Sequence, residues 1–312
     1  MLTILLGMAA IILAGTLWRV ILGSKSADTI RSHMAKAVYD VFLPALVLHV
    51  MWQTPLTLNT LRIPTVSIIA ILLSLLLGVV IYGNGRLIRA FMGDHGARRG
   101  IGAILLACAF GNFTYLGLPV LTQTFGPWSQ MIAIHFDLLA STPLLFTIGI
   151  MLAGHYGQSG KTMKPLLELL KVPALWAVIG GIFLSASGVP MPGWLDETLG
   201  ILGSAVVPLM LLSVGMALRW QSGWLGRIPV LLPMIIIQLA LMPAIVWVAC
   251  IGVGMPAKLV APSVIEGAMP SMVLGLVICD RFKLDASLYA EAVTVTTALS
   301  LLTLPVWLGL VS

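Results

Sequence analysis

The chain reads C-A-F-G-N-F-T-Y-L-G-L-P-V at residues 108–120, and this stretch decides the fold. It lies inside an apolar segment, yet it carries Gly111, Asn112, Gly117 and Pro119. Gly and Pro interrupt regular helices, Pro because it lacks an N–H group. We therefore expect a broken helix here, with Gly117 and Pro119 among the helix-breaking residues.

A second interrupted stretch, I-E-G-A-M-P-S-M-V-L-G-L-V-I, follows at residues 265–278. Both stretches contain Leu-Gly-Leu, which aligns Asn112 with Pro270, and Gly267 is a further helix-breaking candidate. Broken hydrophobic segments at corresponding positions of two halves are typical of a transporter's binding site. The sequence therefore predicts two helix breaks that form one site.

The composition is that of an integral membrane protein. Of the 312 residues, 59% are hydrophobic and only 9% are charged, and the mean hydropathy is +1.07. Apolar runs of about 20 residues span a bilayer as helices, so we expect an all-α fold. The net charge of +6 does not indicate nucleic acid, because the basic residues lie in connections between apolar runs. The three Cys residues have no metal-ligand spacing, so no cofactor or metal is predicted.

Ten apolar segments are predicted, and an odd number of segments in each half makes any internal repeat inverted. The polar linker 154–172 separates a first repeat, 1–153, from a second, 173–312. Pro44 and Pro208 fall at matching places in segments two and seven, which supports the repeat. The segments are 2–22, 37–56, 64–88, 101–125, 129–153, 173–190, 197–218, 229–252, 258–280 and 286–311.

The distribution of basic residues predicts the topology. All but two of the 17 Lys and Arg residues follow the odd-numbered segments; the exceptions are Arg62 and Lys258. Cytoplasmic connections are rich in Lys and Arg, so both termini are expected outside.

The two breaks are expected at the same depth in the membrane. At about 1.5 Å per residue, Asn112 lies roughly 16 Å from the cytoplasmic end of segment four, and Pro270 roughly 18 Å from the outer end of segment nine. Half-helices that begin near Phe113 and Ser271 would direct their N-terminal N–H groups toward one point, which favours an anion.

Asn112 suits this place because its amide can bind a ligand oxygen. Thr114, Tyr115 and Ser271 add hydrogen-bond donors. In the structural alternative, Asn112 is only a helix N-cap, and Gly117 with Pro119 is only a kink.

Two carboxyl groups, Asp137 and Glu266, are expected deep in the membrane, roughly 12 Å from its outer side. A deep carboxylate is protonated, paired or bound to a cation. No Lys or Arg is predicted at that depth, so we consider both residues candidates for coupling to H⁺ or Na⁺; a purely hydrogen-bonded structural acid is the alternative. Asp40 and Glu291 lie nearer the cytoplasmic side, where Lys36, Arg281 or Lys283 could pair with them.

The sequence resembles the auxin efflux carrier family, whose bacterial members include malonate-transporter-like proteins. The resemblance rests on G-N-F-T-Y-L-G-L-P at 111–119, A-M-P-S at 268–271, L-P-A at 43–45 and T-L-P-V-W at 303–307. This chain has Gly111 where the plant exporters have a proline, and it lacks their long cytoplasmic loop.

The resemblance implies broken helices four and nine that cross at the centre of the protein. It also implies a scaffold of helices 1, 2, 6 and 7, a transport domain of helices 3–5 and 8–10, and a homodimer through the scaffold in the bacterial inner membrane. The implied substrate-binding residues are Gly111, Asn112, Phe113, Thr114, Tyr115, Met269, Pro270, Ser271 and Val47.

We therefore expect a secondary active transporter of a small organic anion, such as malonate, malate or an auxin-like acid, in contact with membrane lipid. The alternative is an anion channel or a membrane sensor that binds carboxylates without coupled transport. No H-E-x-x-H or G-x-S-x-G motif occurs, so no enzyme is predicted.

Overall fold

The computed structural model describes residues 2–55, 57–92, 94–157, 165–218 and 224–311. Within these ranges the secondary structure consists of helices and one isolated β-bridge, so the all-α prediction is confirmed. Residues 158–164 of the predicted linker, with Lys161 and Lys164, lie outside the described residues, as does Arg219.

The described residues of the first half of the chain form seven helices. The sixth begins with a π-helical turn, Phe113–Gly117, and continues as an α-helix through Leu118–Phe125. The helices are α1 (Leu2–Leu22), α2 (Ser24–Gln53), α3 (Asn59–Tyr82), α4 (Arg86–Met92), α5 (Asp94–Ala109), α6 (113–125) and α7 (Pro127–Tyr156).

The second half contributes a similar series. The helices are α8 (Pro165–Leu169), α9 (Pro173–Ala186), α10 (Gly193–Ala217), α11 (Ile228–Gly252), α12 (Ala257–Gly267), α13 (Gly275–Phe282) and α14 (Ala286–Val311).

Six helices in the described part of the chain are long and apolar enough to cross a membrane: α2, α3, α7, α10, α11 and α14. Helices α1 and α9 contain shorter apolar spans. A helix of about 20 apolar residues matches the hydrocarbon thickness. The chain is therefore a multi-pass membrane protein.

Segments four and nine are each interrupted. Helix α5 ends at Ala109, and α6 begins at Phe113; helix α12 ends at Gly267, and α13 begins at Gly275. The expected start near Phe113 agrees with the structure. The expected start near Ser271 is too early, because the backbone of Ser271 pairs with Gly111 instead of entering a helix.

The structure also corrects the expected role of Gly117 and Pro119 as helix-breaking residues. Gly117 and Pro119 lie inside α6, after the non-helical residues 110–112. Pro119 is within the first two positions of the α-helical part, where its missing N–H is tolerated. The turn before it is π-helical, with the Gly117 N–H donating to the Asn112 carbonyl oxygen at 3.0 Å.

Close glycine contacts join the first and seventh segments. A Cβ built on Gly15 of α1 would lie 2.3 Å from the Leu212 carbonyl oxygen, and one on Gly215 of α10 would lie 2.0 Å from that of Ile12. Only small residues allow membrane helices to approach this closely. Helix α2 packs against α9 and α10, with Gly181 directly on Met51.

Asp40 and Glu291, the two acids expected nearer the cytoplasmic side, are both paired with basic residues. Lys36 Nζ lies 2.6 Å from Asp40 Oδ2, as expected. Glu291 pairs with Arg227 at 3.1 Å instead of Arg281 or Lys283. The correction follows from the fold, because Arg227 immediately precedes α11 and lies beside α14.

Candidate functional site

The two non-helical stretches cross each other and exchange backbone hydrogen bonds. The Asn112 N–H donates to the Pro270 carbonyl oxygen at 2.7 Å, and the Met272 N–H donates to that of Phe110 at 3.0 Å. Gly111 and Ser271 face each other as an antiparallel bridge. Because hydrocarbon offers no hydrogen bonds, a broken membrane helix is stable only where its backbone finds such partners.

Side chains from neighbouring helices hold the second stretch in place. The Ser271 hydroxyl donates to the Ala107 carbonyl oxygen at 2.8 Å. Gln238 Nε2 donates to the Met269 carbonyl oxygen at 2.8 Å, and the Tyr289 hydroxyl donates to that of Met272 at 2.9 Å. Neither Gln238 nor Tyr289 was predicted from the sequence. Gln238 is an isolated polar side chain in an apolar segment, a signal that could have identified it, whereas Tyr289 has polar neighbours and gives no such signal.

A cavity of about 70 Å³ lies against this crossing. Five predicted substrate-binding residues line it: Gly111, Asn112, Phe113, Thr114 and Tyr115. The rest of its wall is formed by Tyr39, Leu43, Asp137, Leu138, Ser141, Thr142, Leu145, Phe146, Val172, Ala174, Met272 and Leu274.

The amide of Asn112 makes no capping hydrogen bond to α6. Its Nδ2 atom is buried and has no hydrogen-bond partner among the described residues. The backbone carbonyl of Asn112 accepts the N–H groups of Leu116 and Gly117, so the main chain starts the helix. An unpaired buried amide is costly, which leaves the side chain suited to a ligand in the cavity.

Asp137 belongs to the same cavity, a proximity that was not predicted from the sequence. Its carboxylate accepts hydrogen bonds from the hydroxyls of Thr114 and Thr142, the latter at 2.9 Å. It begins a π-helical turn in α7, and its side chain is partly exposed to the cavity. The carboxyl group is therefore hydrogen-bonded within the protein and also close to any ligand of Asn112.

Glu266 contacts the same turn of α6. Its side chain is fully buried, and neither carboxyl oxygen has a hydrogen-bond partner in the described part of the chain. A Cβ built on Gly117 would lie 2.4 Å from Oε1 and 2.5 Å from Oε2. Two acids thus contact the turn Phe113–Gly117, with Thr114 against Asp137 and Gly117 against Glu266.

Four predicted substrate-binding residues lie outside the cavity wall. Met269, Pro270 and Ser271 are buried within the crossing, where the Pro270 carbonyl accepts the Asn112 N–H and Ser271 pairs with Gly111. Val47 is fully buried in α2, one turn beyond Leu43, which does line the cavity. Gly267 is the last residue of α12, at the second break.

A multi-pass helical protein with two interrupted helices crossing beside a cavity belongs to the class of membrane transporters. Residues 6–308 match the family model described as membrane transport protein, so the chain belongs to this family, which includes the auxin efflux carriers. Its members are transporters, not enzymes.

Two archaeal relatives agree with this assignment. The chain is 26% identical over 313 residues to an uncharacterized transporter of Methanothermobacter thermautotrophicus, covering 97% of this chain and 95% of the relative. It is 29% identical over 213 residues to an uncharacterized transporter of Methanocaldococcus jannaschii, covering 66% of this chain and 67% of that protein.

Proposed function

We propose that this protein is a secondary active transporter of a small organic anion that binds at the crossing of its two broken helices. The unpaired Asn112 amide in the crossover cavity is the observation that carries the proposal. A carboxylate readily accepts a hydrogen bond from an amide N–H group. A buried amide gains most from such a ligand, because the ligand supplies the acceptor that the protein does not.

Other groups around the cavity suit the same ligand. The N-terminal end of α6 and the residues leading into α13 both contribute to the wall. The first N–H groups of a helix lack intrahelical partners and attract negative charge. The small volume and the apolar side chains of Leu138 and Phe146 favour a compact acid, such as malonate, malate or an auxin-like acid.

The carboxyl group of Asp137 would couple binding of the anion to binding of a proton or Na⁺. An ionised carboxylate at the wall of the same cavity repels an anionic substrate, strongly so in a low-dielectric site. The substrate therefore binds best when Asp137 carries a proton or a bound Na⁺. Glu266 is the second candidate, because an isolated carboxylate in a fully buried position is costly unless it is neutralised.

The packing supports the larger architecture that we propose: ten spans in two inverted five-helix repeats, 1–153 and 173–312. The close contacts of α1 with α10 and of α2 with α9 favour a scaffold of segments one, two, six and seven. The other six segments would move as a transport domain, in an elevator-like or rocking motion. We further propose a homodimer through the scaffold, in the cell membrane and with both termini outside.

A channel or a membrane sensor is the competing function. The cavity alone does not separate these proteins from a carrier, because all three bind an anion. Saturable exchange of labelled for unlabelled substrate does separate them, because a channel shows no counterflow and a sensor moves nothing.

The test uses the full chain in proteoliposomes, with counterflow of malonate, malate and indole-3-acetate. Asn112→Ala removes the amide group that would donate hydrogen bonds to the anion. Because hydrogen bonds to a charged group contribute strongly to binding, we expect about a 10- to 100-fold reduction in counterflow. Asn84→Ala is the matched control, because Asn84 is exposed in a loop and accepts the Arg86 N–H. Unchanged counterflow in a folded Asn112→Ala protein would refute the site.

A further inference from the structure

A second cavity, of about 110 Å³, lies beside the crossover cavity. Four of its residues carry polar groups: Arg31 and Ser32 of α2, Ser213 of α10 and Tyr115 of α6. The remaining wall is apolar, formed by Ala35, Val214, Val273, Leu274 and Val277. A guanidinium group and three hydroxyl groups in an otherwise apolar cavity are a suitable environment for an anion.

The two cavities share two residues, Tyr115 and Leu274. Tyr115 lies in the π-helical turn that follows the first break, and Leu274 immediately precedes α13 after the second. Both side chains are half-buried. One residue from each broken segment therefore forms the partition between the crossover cavity and its neighbour.

We propose that the second cavity is a carboxylate-binding vestibule, in which Arg31 and the hydroxyls of Ser32 and Ser213 hold the substrate anion before it passes Tyr115 and Leu274. This inference rests on the proposed function, since it assigns the approach route of the same anion. Arg presents paired N–H donors that match a carboxylate, and the apolar walls reduce screening of its charge.

Other charged residues near this helix do not line the cavity. Asp28 pairs with Arg19, whose Nη1 lies 2.7 Å from Asp28 Oδ1, and neither residue belongs to the wall. Lys36, one turn beyond Ser32, is exposed and paired with Asp40, and it does not line the cavity. Arg31 is thus the cationic residue of the vestibule wall.

A lipid phosphate has the same hydrogen-bond acceptors as a carboxylate. We assign the vestibule to the soluble anion, because it shares a wall with the crossover cavity, whereas a headgroup tethered to acyl chains cannot continue into that cavity. The experiment includes an arm for each source.

The test measures thiol modification in the vestibule, which needs no transport. Ala35→Cys places a thiol on its wall, and the native Cys108, Cys250 and Cys279 are buried, so their background reaction is slow. The full chain in phosphatidylcholine nanodiscs is treated with methanethiosulfonate reagents carrying either a sulfonate or a trimethylammonium group. The ratio of the two rates reports the local charge.

Removing the Arg31 charge should change that ratio. In the Ala35→Cys background, we expect Arg31→Gln to lower the anionic-to-cationic rate ratio at the introduced thiol by about tenfold, whereas Arg31→Lys retains most of it. Lys36→Gln, which removes one charge from the same helix outside the cavity, should leave the ratio within about twofold. An equal ratio in Arg31→Gln and the Ala35→Cys parent overturns the proposal.

Malonate provides the second readout. It should slow labelling of the introduced thiol in the Ala35→Cys parent and not in Arg31→Gln. Protection that survives Arg31→Gln, or protection by added phosphatidylglycerol and not by malonate, overturns the assignment to a soluble anion.

Counterflow of the same variants reconstituted in sealed proteoliposomes separates the two proposals. Protection without counterflow supports an anion site in the second cavity and refutes the transporter, whereas counterflow without protection supports the transporter and refutes the vestibule.

Discussion

Replacing Gly117 with Ala tests the contact between the broken segments most directly. The added Cβ would lie 2.4 Å and 2.5 Å from the Glu266 carboxyl oxygens and 2.7 Å from Cδ, all closer than real Cβ contacts. The contacting atoms are the end of the Glu266 side chain, which is fully buried and therefore turns aside only by displacing its neighbours. Helix α12 is also held in place, because a Cβ on Gly267 would lie 2.6 Å from Val246 Cγ2. Overpacking typically lowers the free energy of unfolding by about 1–3 kcal/mol. The higher helix propensity of Ala offsets up to about 1 kcal/mol of this, so we expect a net destabilisation of about 1–2 kcal/mol.

The free energy of unfolding can be measured by SDS titration in mixed micelles. Gly180→Ala is the matched control, because its Cβ would find its nearest neighbour, Leu48 Cδ1, at an ordinary 3.8 Å. Truncating the acid in Gly117→Ala/Glu266→Ala should recover the loss, giving a coupling energy of about 1–2 kcal/mol. If Gly117→Ala is as stable as Gly180→Ala, or if the two changes simply add, the contact does not exist as described.

Three further predictions concern coupling and stability. Asp137→Asn keeps an acceptor for the threonine hydroxyls but cannot ionise, so uptake should lose its dependence on a proton or sodium gradient; flux that still follows either gradient counts against Asp137. Tyr82→Phe deletes the buried hydroxyl that accepts the Met234 N–H at 2.9 Å, and a loss of about 1–3 kcal/mol is expected by SDS titration; a loss below about 0.5 kcal/mol, the range of an ordinary surface substitution, would contradict it. Gly275→Ala would put a Cβ 2.0 Å from the Tyr289 hydroxyl, so folded yield by size-exclusion chromatography should fall sharply, and a wild-type yield would show that this packing is absent.

The sequence predicts the all-α membrane fold class and the two interrupted segments, because the constraint from the bilayer is strong. Apolar runs form helices in the hydrocarbon core, because a helix satisfies its own backbone hydrogen bonds. Asn112 and Pro270 lie in the interruptions of two such helices, at corresponding places in the two halves. The residues that start or end the regular structure are less predictable. Pro119 looks like a breaker in the sequence, yet a first-turn position accommodates it, and Ser271 looks like a helix start but pairs with Gly111.

The lining of the cavity was predictable from one of the two broken segments only. Residues 111–115 line it, whereas Met269 and Ser271 do not: the Met269 carbonyl accepts from Gln238, and the Ser271 hydroxyl donates to the Ala107 carbonyl. Which side of a crossing a residue faces depends on how the chain turns between the half-helices, and no periodic pattern records this. The proximity of Asp137 to Thr114 depends on packing between α6 and α7, which the sequence of either helix alone does not specify.

The hydrogen bonds at the crossing also have a consequence for biosynthesis. The Asn112 N–H has its partner on Pro270, and Phe110 has its partner on Met272, so the first interrupted helix reaches the membrane long before its complement is translated. Until then its polar backbone faces lipid or whatever shields it, because an unsatisfied group in hydrocarbon costs several kcal/mol. The nascent amino-terminal half should therefore remain associated with the insertion machinery until the ribosome has delivered the ninth segment.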